Sequence, residues 1–138
     1  MTVHPNARNL VRQMLPKVQP RRPKVKNPGE SRTRQLVAAR SGGWCEACGA
    51  ARSASVHHRR KRSQGGPWSA SNCVAVCGDG VRGCHGWAEH NPDAADVAGF
   101  HLRPGDAPAG KPIVSGLHGR VLLADDGSIS PAPIGGDA

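Results

Sequence analysis

Residues 45–48 read Cys-Glu-Ala-Cys, and residues 77–85 read Cys-Gly-Asp-Gly-Val-Arg-Gly-Cys-His. The chain thus holds two cysteine pairs separated by 28 residues. Paired cysteines on short turns present sulfur at the angles that a tetrahedral Zn²⁺ requires, and four thiolates close such a site to water. The spacing predicts one structural Zn²⁺ bound by Cys45, Cys48, Cys77 and Cys84, with disulfides or chance spacing as the alternatives.

The composition indicates why such a site is needed. The 138 residues include one Phe, no Tyr and three Trp, against 18 Gly and 12 Pro. A core so poor in large apolar side chains rarely holds a small domain without a metal or disulfides. The sequence shows neither a secretion signal nor a membrane span, so we expect a reducing cytoplasm, where clustered cysteines usually bind metal. The fifth cysteine, Cys73, is interpreted as a buried small hydrophobic residue or a spare ligand.

The net charge of +9 is concentrated at the front of the chain. Residues 1–40 carry ten Lys or Arg and one acidic residue. Residues 91–138 instead carry three Lys or Arg and six acidic residues. A basic arm of this kind suits a polyanion, nucleic acid above all, although a solvated tail without a partner has the same composition.

The pattern along the chain indicates a single small α+β domain. Residues 1–30 hold five prolines among basic residues and are predicted to form an extended or disordered arm. The domain is assigned to residues 31–103. A Gly- and Pro-rich tail, loosely structured apart from a short hairpin around Asp125-Asp126-Gly127, is assigned to residues 104–138.

Local signals place the elements of this domain. Ser31 is predicted to cap a first helix that ends at Gly42-Gly43. Strands are expected at residues 54–58 and 73–77, followed by a helix that ends near Asn91-Pro92.

Three histidines and an asparagine lie between and beside the cysteines. His57 and His58 are adjacent, so on an extended strand their side chains face opposite sides. One imidazole could hold a metal while the other contacts a water on the substrate side, since imidazole serves both roles near neutral pH. His85 directly follows Cys84, so the cysteine site would fix its position.

The combination of these motifs resembles the HNH endonucleases of the ββα-metal fold, and most closely their small phage-encoded type. The matching residues are Cys45-Glu-Ala-Cys48, His57-His58-Arg59-Arg60-Lys61-Arg62-Ser63-Gln64-Gly65-Gly66, Ser71-Asn72 and Cys77 to Trp87. The resemblance covers about residues 31–103. It implies a small ββα-metal domain held by the four-cysteine zinc site.

The resemblance also implies residue roles. His57 and His85 would bind one catalytic divalent metal, His58 would be the general base, and Asn72 would order the active-site loop. The substrate would be double-stranded DNA, cut by phosphodiester hydrolysis to 5′-phosphate and 3′-hydroxyl ends. The metal would stabilise the charge of the transition state.

The chain departs from the family at two positions. Many relatives carry Asp where His57 stands, and two imidazoles make a softer site, so Mn²⁺, Ni²⁺ and Zn²⁺ stand beside Mg²⁺ as candidates. Some relatives add a histidine four residues after the first metal histidine of the helix. Here Glu89 holds that spacing and His90 lies one residue further, and both are secondary candidates. Arg59, Arg60 and Arg62 follow the base and are candidate phosphate contacts.

Two other functions fit parts of the sequence. A zinc-stabilised module that binds nucleic acid without cutting explains the cysteines and the charge but leaves the histidines without a role. An assembly factor that is active only with a phage terminase subunit, in DNA packaging, is the second alternative.

Overall fold

The computed structural model describes residues 27–133 and confirms the α+β class. Most of the predicted basic arm therefore lies outside the described residues. The helices are α1 (Glu30–Ser41), α2 (Gly83–His90) and α3 (Pro92–Val97), with 3₁₀ turns at Arg62–Gln64 and Pro108–Gly110. The strands are β1 (Ser55–His58), β2 (Cys73–Val76), β3 (Ile113–Ser115), β4 (Gly119–Leu123) and β5 (Ile129–Pro131). No helix among residues 27–133 is long and apolar enough to cross a membrane.

The antiparallel pair β1–β2 lies at the centre, between α1 and α2. His57 pairs with Val74 and His58 with Cys73. Directly paired residues share a face of the sheet. Val74 packs in one apolar cluster with Ala88 of α2, and Cys73 packs in another with Val37 of α1. Because both faces are covered, every residue of β2 is buried.

Helix α1 begins one residue before the predicted cap. Gly29, in a left-handed conformation with φ 77°, precedes Glu30, and no side chain caps the helix, so Ser31 lies inside its first turn. The C-terminal prediction is confirmed, since Gly42 adopts φ 61° and its N–H donates to Ala38 O. A left-handed residue at this position is typical of glycine because it has no Cβ.

Residues 104–133 are more ordered than the sequence suggests. Strands β3, β4 and β5 form an antiparallel sheet in that order, and the β4–β5 hairpin turns at the Asp125–Gly127 segment. Ile113 and Leu123 are fully buried in the same apolar cluster as Val74 and Phe100. The prediction of a loose tail therefore needs correction, because Ile113, Val121 and Leu123 of this sheet pack in the same core as Val74 and Val76 of β2.

A buried ion pair between Arg40 and Glu46 links α1, β2 and the C-terminal sheet. The guanidinium of Arg40 on α1 donates to both carboxylate oxygens of Glu46 at 2.8 Å. The same carboxylate accepts the N–H of Ala75 on β2 at 2.9 Å, and His118, after β3, lies 2.9 Å from it. Because Glu46 lies between Cys45 and Cys48, this pair fixes the first cysteine turn against β2 and the C-terminal sheet.

Leu123→Ala is expected to lower the free energy of unfolding by about 2–4 kcal/mol, because it removes a fully buried side chain and leaves a cavity. Denaturant unfolding followed by circular dichroism measures the loss. Val97→Ala, at a position that is 85% exposed, is the control and should change it by less than about 0.5 kcal/mol. Equal effects of the two substitutions would contradict the placement of β4 in the core.

Candidate functional site

The four cysteines of the two pairs meet in one cluster. The sulfur atoms of Cys45, Cys48, Cys77 and Cys84 lie within 4.8 Å of one another, and all four residues are free thiols. Cys45 is fully buried in the core, whereas Cys48 is exposed. Four sulfurs at this separation could hold a structural metal ion, as the sequence predicts.

Backbone amides around the cluster favour thiolate sulfur. The N–H of Cys48 donates to Cys45 Sγ at 3.4 Å, and the N–H of Cys84 donates to Cys77 Sγ at 3.4 Å. The Ala50 N–H makes the same contact with Cys48 Sγ and lowers the pKa of that thiol to about 7. Burial and the neighbouring sulfurs instead raise the pKa of the Cys84 thiol. Sulfurs this close could all be thiolates only around a cation, which fits a metal site.

Two glycines make the long turn of the second pair possible. Gly78 and Gly83 have φ of 79° and 66°. A Cβ on Gly78 would lie 2.0 Å from Arg82 O, and one on Gly83 would lie 2.7 Å from Cys77 O. Only glycine allows the chain to fold back this closely, so a spacing of six residues still returns Cys84 to Cys77.

Cys73 takes no part in the cluster. It is fully buried beside Val37 and Ala75, on the α1 side of the sheet. Burial raises the pKa of its thiol to about 11. Of the two interpretations of Cys73, the buried hydrophobic residue is the one that the structure supports.

A second group of possible ligands lies on the α2 side of β1. His57, His85 and Glu89 each place one ligand atom within 4.8 Å of the other two. Oε1 of Glu89 lies 3.5 Å from Nδ1 of His57 and 4.0 Å from Nε2 of His85. His57 and His85 are the two metal ligands that the resemblance implies, and Glu89 is one of the two secondary candidates.

The tautomer of His57 is set by a backbone carbonyl. Its Nε2 lies 2.6 Å from Phe100 O, and a carbonyl oxygen only accepts, so Nε2 must carry the proton. Burial lowers the pKa of His57, so the ring is neutral near pH 7 and Nδ1 keeps its lone pair. Nδ1 is buried and has no hydrogen-bond partner, although it faces the carboxylate of Glu89. A lone pair facing a carboxylate is an arrangement that a cation between them would stabilise.

His85 is oriented by a hydrogen bond to the Ser55 hydroxyl. The Ser55 hydroxyl donates its one proton to Gly78 O at 2.9 Å, so Ser55 Oγ accepts from Nδ1–H of His85 at 2.7 Å. In the neutral ring, Nε2 then carries the lone pair and faces Glu89. Partners of this kind are typical of metal-ligating histidines, since they fix both the tautomer and the ring orientation.

Glu89 is shared between the imidazoles and a lysine. Its Oε2 lies 3.2 Å from Nζ of Lys61, while Oε1 faces His57 and His85. Burial raises the pKa of this carboxyl, but the hydrogen bond and charge of Lys61 outweigh burial, so the pKa is lowered overall and the group is ionised. His90 is exposed and outside the cluster, because a helix residue five positions after His85 turns away from it.

Asn72 holds the loop that follows β1. Its side-chain Oδ1 accepts from the backbone N–H of Arg60 at 2.8 Å, and its Nδ2 donates to Arg60 O and to Pro67 O at 3.2 and 3.1 Å. Its backbone oxygen accepts from the N–H of Arg59 at 2.8 Å. These contacts order both ends of the loop, which is the role that the resemblance implies for Asn72.

His58 lies outside the ligand cluster. On the α1 side of β1, its ring makes an edge contact with Trp68 at a centroid distance of 4.4 Å. Burial, followed by the positive charge of Arg62, lowers its pKa to about 4. The ring is therefore neutral near pH 7, which is the state that can accept a proton.

The basic run after His58 does not act as one unit. Arg59 is fully buried, so it is not the phosphate contact that the sequence suggests. The distances from its guanidinium to four carbonyl oxygens are 2.5–2.8 Å, and the acceptors are Gly99, Ser71, Pro108 and Lys111. Arg60 is half-buried and donates to Asp106 O, whereas Arg62 is exposed.

The sequence analysis names four residues of this region as candidates, His57, His58, Asn72 and His85, and Glu89 as a secondary candidate. Glu89 was recognisable from its four-residue spacing after His85. Lys61 carried no signal apart from its place in a basic run, because its contact with Glu89 depends on how the loop folds.

Comparisons with family models, with curated proteins and with solved structures find no match for this chain. Its function is therefore inferred from the geometry of the two clusters and the loop beside them.

Cys77→Ser is expected to cost one equivalent of zinc per chain and to lower the melting temperature strongly, because a structural zinc supplies folding free energy. Elemental analysis and thermal melting with and without chelator measure both effects. Cys73→Ala is the matched control, a buried cysteine outside the cluster, and should keep the zinc content of the wild type. Retention of full zinc by Cys77→Ser would contradict the four-sulfur site.

Arg59→Met is expected to lower the free energy of unfolding by about 3 kcal/mol or more, because it leaves four carbonyl oxygens without their donor. Arg62→Met, an exposed arginine in the same run, should change it by less than about 0.5 kcal/mol. Equal losses in denaturant unfolding would show that Arg59 has no special structural role.

Proposed function

We propose that this protein is a metal-dependent endonuclease that hydrolyses DNA phosphodiester bonds beside the cluster of His57, His85 and Glu89. One observation carries the proposal. Two buried or half-buried imidazoles are fixed by Phe100 O and by Ser55 so that the second nitrogen of each ring faces the same carboxylate. Two imidazoles and a carboxylate that converge in this way are typical of a metal site.

This ligand set favours a transition metal. Two neutral imidazoles and one carboxylate are typical of Zn²⁺ sites that keep open positions for water or substrate, and they are softer than the all-oxygen sets that Mg²⁺ prefers. A divalent ion held there would withdraw charge from the phosphate and from the leaving oxygen. We therefore expect Mn²⁺, Ni²⁺ or Zn²⁺ to support activity better than Mg²⁺.

His58 is proposed as the general base. Its neutral ring would take a proton from water while the water oxygen bonds to phosphorus. The bond from phosphorus to the 3′-oxygen then breaks, and the 3′-oxygen takes a proton from solvent, which leaves 5′-phosphate and 3′-hydroxyl ends. Asn72 supports this role because it holds Arg60 and Pro67 at the two ends of the loop next to His58.

A binding module without catalysis is the second reading, and the four-cysteine cluster is compatible with it. That reading gives no role to the paired lone pairs at His57 and His85. Dependence on a terminase subunit, and with it a place in phage DNA packaging, stays a prediction from the resemblance.

Nicking of supercoiled plasmid tests the ligand assignment. His85→Ala and Glu89→Ala should each weaken binding of Mn²⁺ by about tenfold or more and reduce nicking in step, since each removes one ligand. His90→Ala is the matched control, a helix residue outside the cluster, and should leave both unchanged. Wild-type protein that keeps its zinc and binds DNA, yet nicks with none of the four metals, would favour the binding module. Nicking that appears only when a packaging partner is added would favour the assembly factor.

His58→Ala separates the base from the ligands. Nicking should fall by about 10²-fold or more while Mn²⁺ affinity stays that of the wild type, because general-base catalysis is lost without loss of a ligand. Calorimetry for the metal and the plasmid assay for the rate provide the two measurements. Full activity in His58→Ala would remove it from the mechanism.

A further inference from the structure

Two arginines from different parts of the chain lie over one tryptophan. Cζ of Arg34, on α1, lies 4.8 Å from the centroid of the Trp68 ring, and Cζ of Arg62, in the loop after β1, lies 5.7 Å from it. Both arginines are exposed. The ring therefore holds two guanidinium groups at the surface, and we call these three residues the arginine–tryptophan patch.

The ring of this patch is itself fixed. It meets His58 edge to face at an interplanar angle of 84°. Nε2 of His58 and Nε1 of Trp68 are both buried without a hydrogen-bond partner. The edge-to-face contact with a residue of β1 orients the Trp68 ring. The two guanidinium groups therefore lie over a ring that His58 of β1 holds in place.

The patch adjoins the proposed metal cluster. Lys61 contacts Glu89 of the cluster, and the next residue, Arg62, lies over Trp68. His57 belongs to the cluster, and the next residue, His58, contacts Trp68. The patch and the cluster therefore lie toward the two faces of β1, and consecutive residues of the chain link them.

One acidic residue, Glu30, contacts the patch. Glu30 Oε2 is 3.5 Å from Nε of Arg34, whose side chain is 52% exposed. The hydrogen bond from Asn27, and then the charges of Arg34 and Arg62, lower the pKa of Glu30. An exposed ion pair of this length is weak. One carboxylate leaves a net positive charge on the two arginines.

We infer that the arginine–tryptophan patch binds the phosphate backbone of double-stranded DNA beside His58, the proposed general base, an inference that rests on the proposed function. Guanidinium groups lie over the Trp68 ring, so phosphate contact rather than base stacking fits this surface. A planar guanidinium donates to two oxygens of one phosphate, and a stacked one loses little freedom on binding. The role extends to Arg34, which no motif indicates.

Binding of a fluorescent DNA duplex by the zinc-loaded protein, with no further metal added, tests this inference without any need for cleavage. Arg34→Gln and Arg62→Gln should each weaken binding several-fold, and each should reduce the slope of log K against log salt by about 1. Arg52→Gln is the matched control, because Arg52 lies 4.4 Å over the Trp44 ring, ahead of β1. It should leave affinity and slope unchanged. Circular dichroism melts check that all variants stay folded.

Each result has one meaning. Wild-type affinity and slope in Arg34→Gln and Arg62→Gln would overturn the patch, and the proposed nuclease would stand if the wild type still nicks plasmid. A wild type that binds no duplex would overturn both. Tighter, arginine-dependent binding of a single-stranded RNA of equal length would overturn the choice of duplex DNA.

Discussion

Four sulfur atoms within 4.8 Å of one another set the geometry on which the rest of the domain depends. They join the turn after α1 to the turn that starts α2, so they fix where α2 begins. Because Cys84 is the second residue of α2, the positions of His85 and Glu89 follow from the helix geometry. Cys45 is also part of the apolar core, so a metal held here would order the site and the core together.

The basic run after β1 shows how one charged segment can serve three purposes. Arg59 turns inward and bonds four carbonyls, Lys61 meets Glu89, and Arg62 lies over Trp68 at the surface. The buried arginine holds the loop so that the two residues after it reach different parts of the site. A run of like charges suggests a single solvent-exposed surface. In the structure, the three side chains instead have three different environments.

The sequence predicted the features that local spacing determines and missed those that depend on distant contacts. The cysteine pairs, the glycine end of α1 and the division of His57 from His58 follow from turn chemistry and strand alternation. The burial of Arg59 depends on carbonyls 40 to 52 residues away, which no local pattern reports. The order of the C-terminal sheet has a similar cause, since short strands in a Gly- and Pro-rich segment are stable only when residues such as Ile113 and Leu123 find a core.

The C-terminal sheet also bears on the chemistry. The oxygen that fixes the tautomer of His57 belongs to Phe100, and Phe100 is buried in the same cluster as Ile113 and Leu123. The neighbouring N–H of Leu102 donates to Arg59 O at 3.0 Å, which aligns this segment with the end of β1. Loosening the sheet would free Phe100 and let the His57 ring take its other tautomer, with a proton on Nδ1. If the cluster binds a metal as we propose, the C-terminal sheet therefore helps to hold His57 in the tautomer that binding needs.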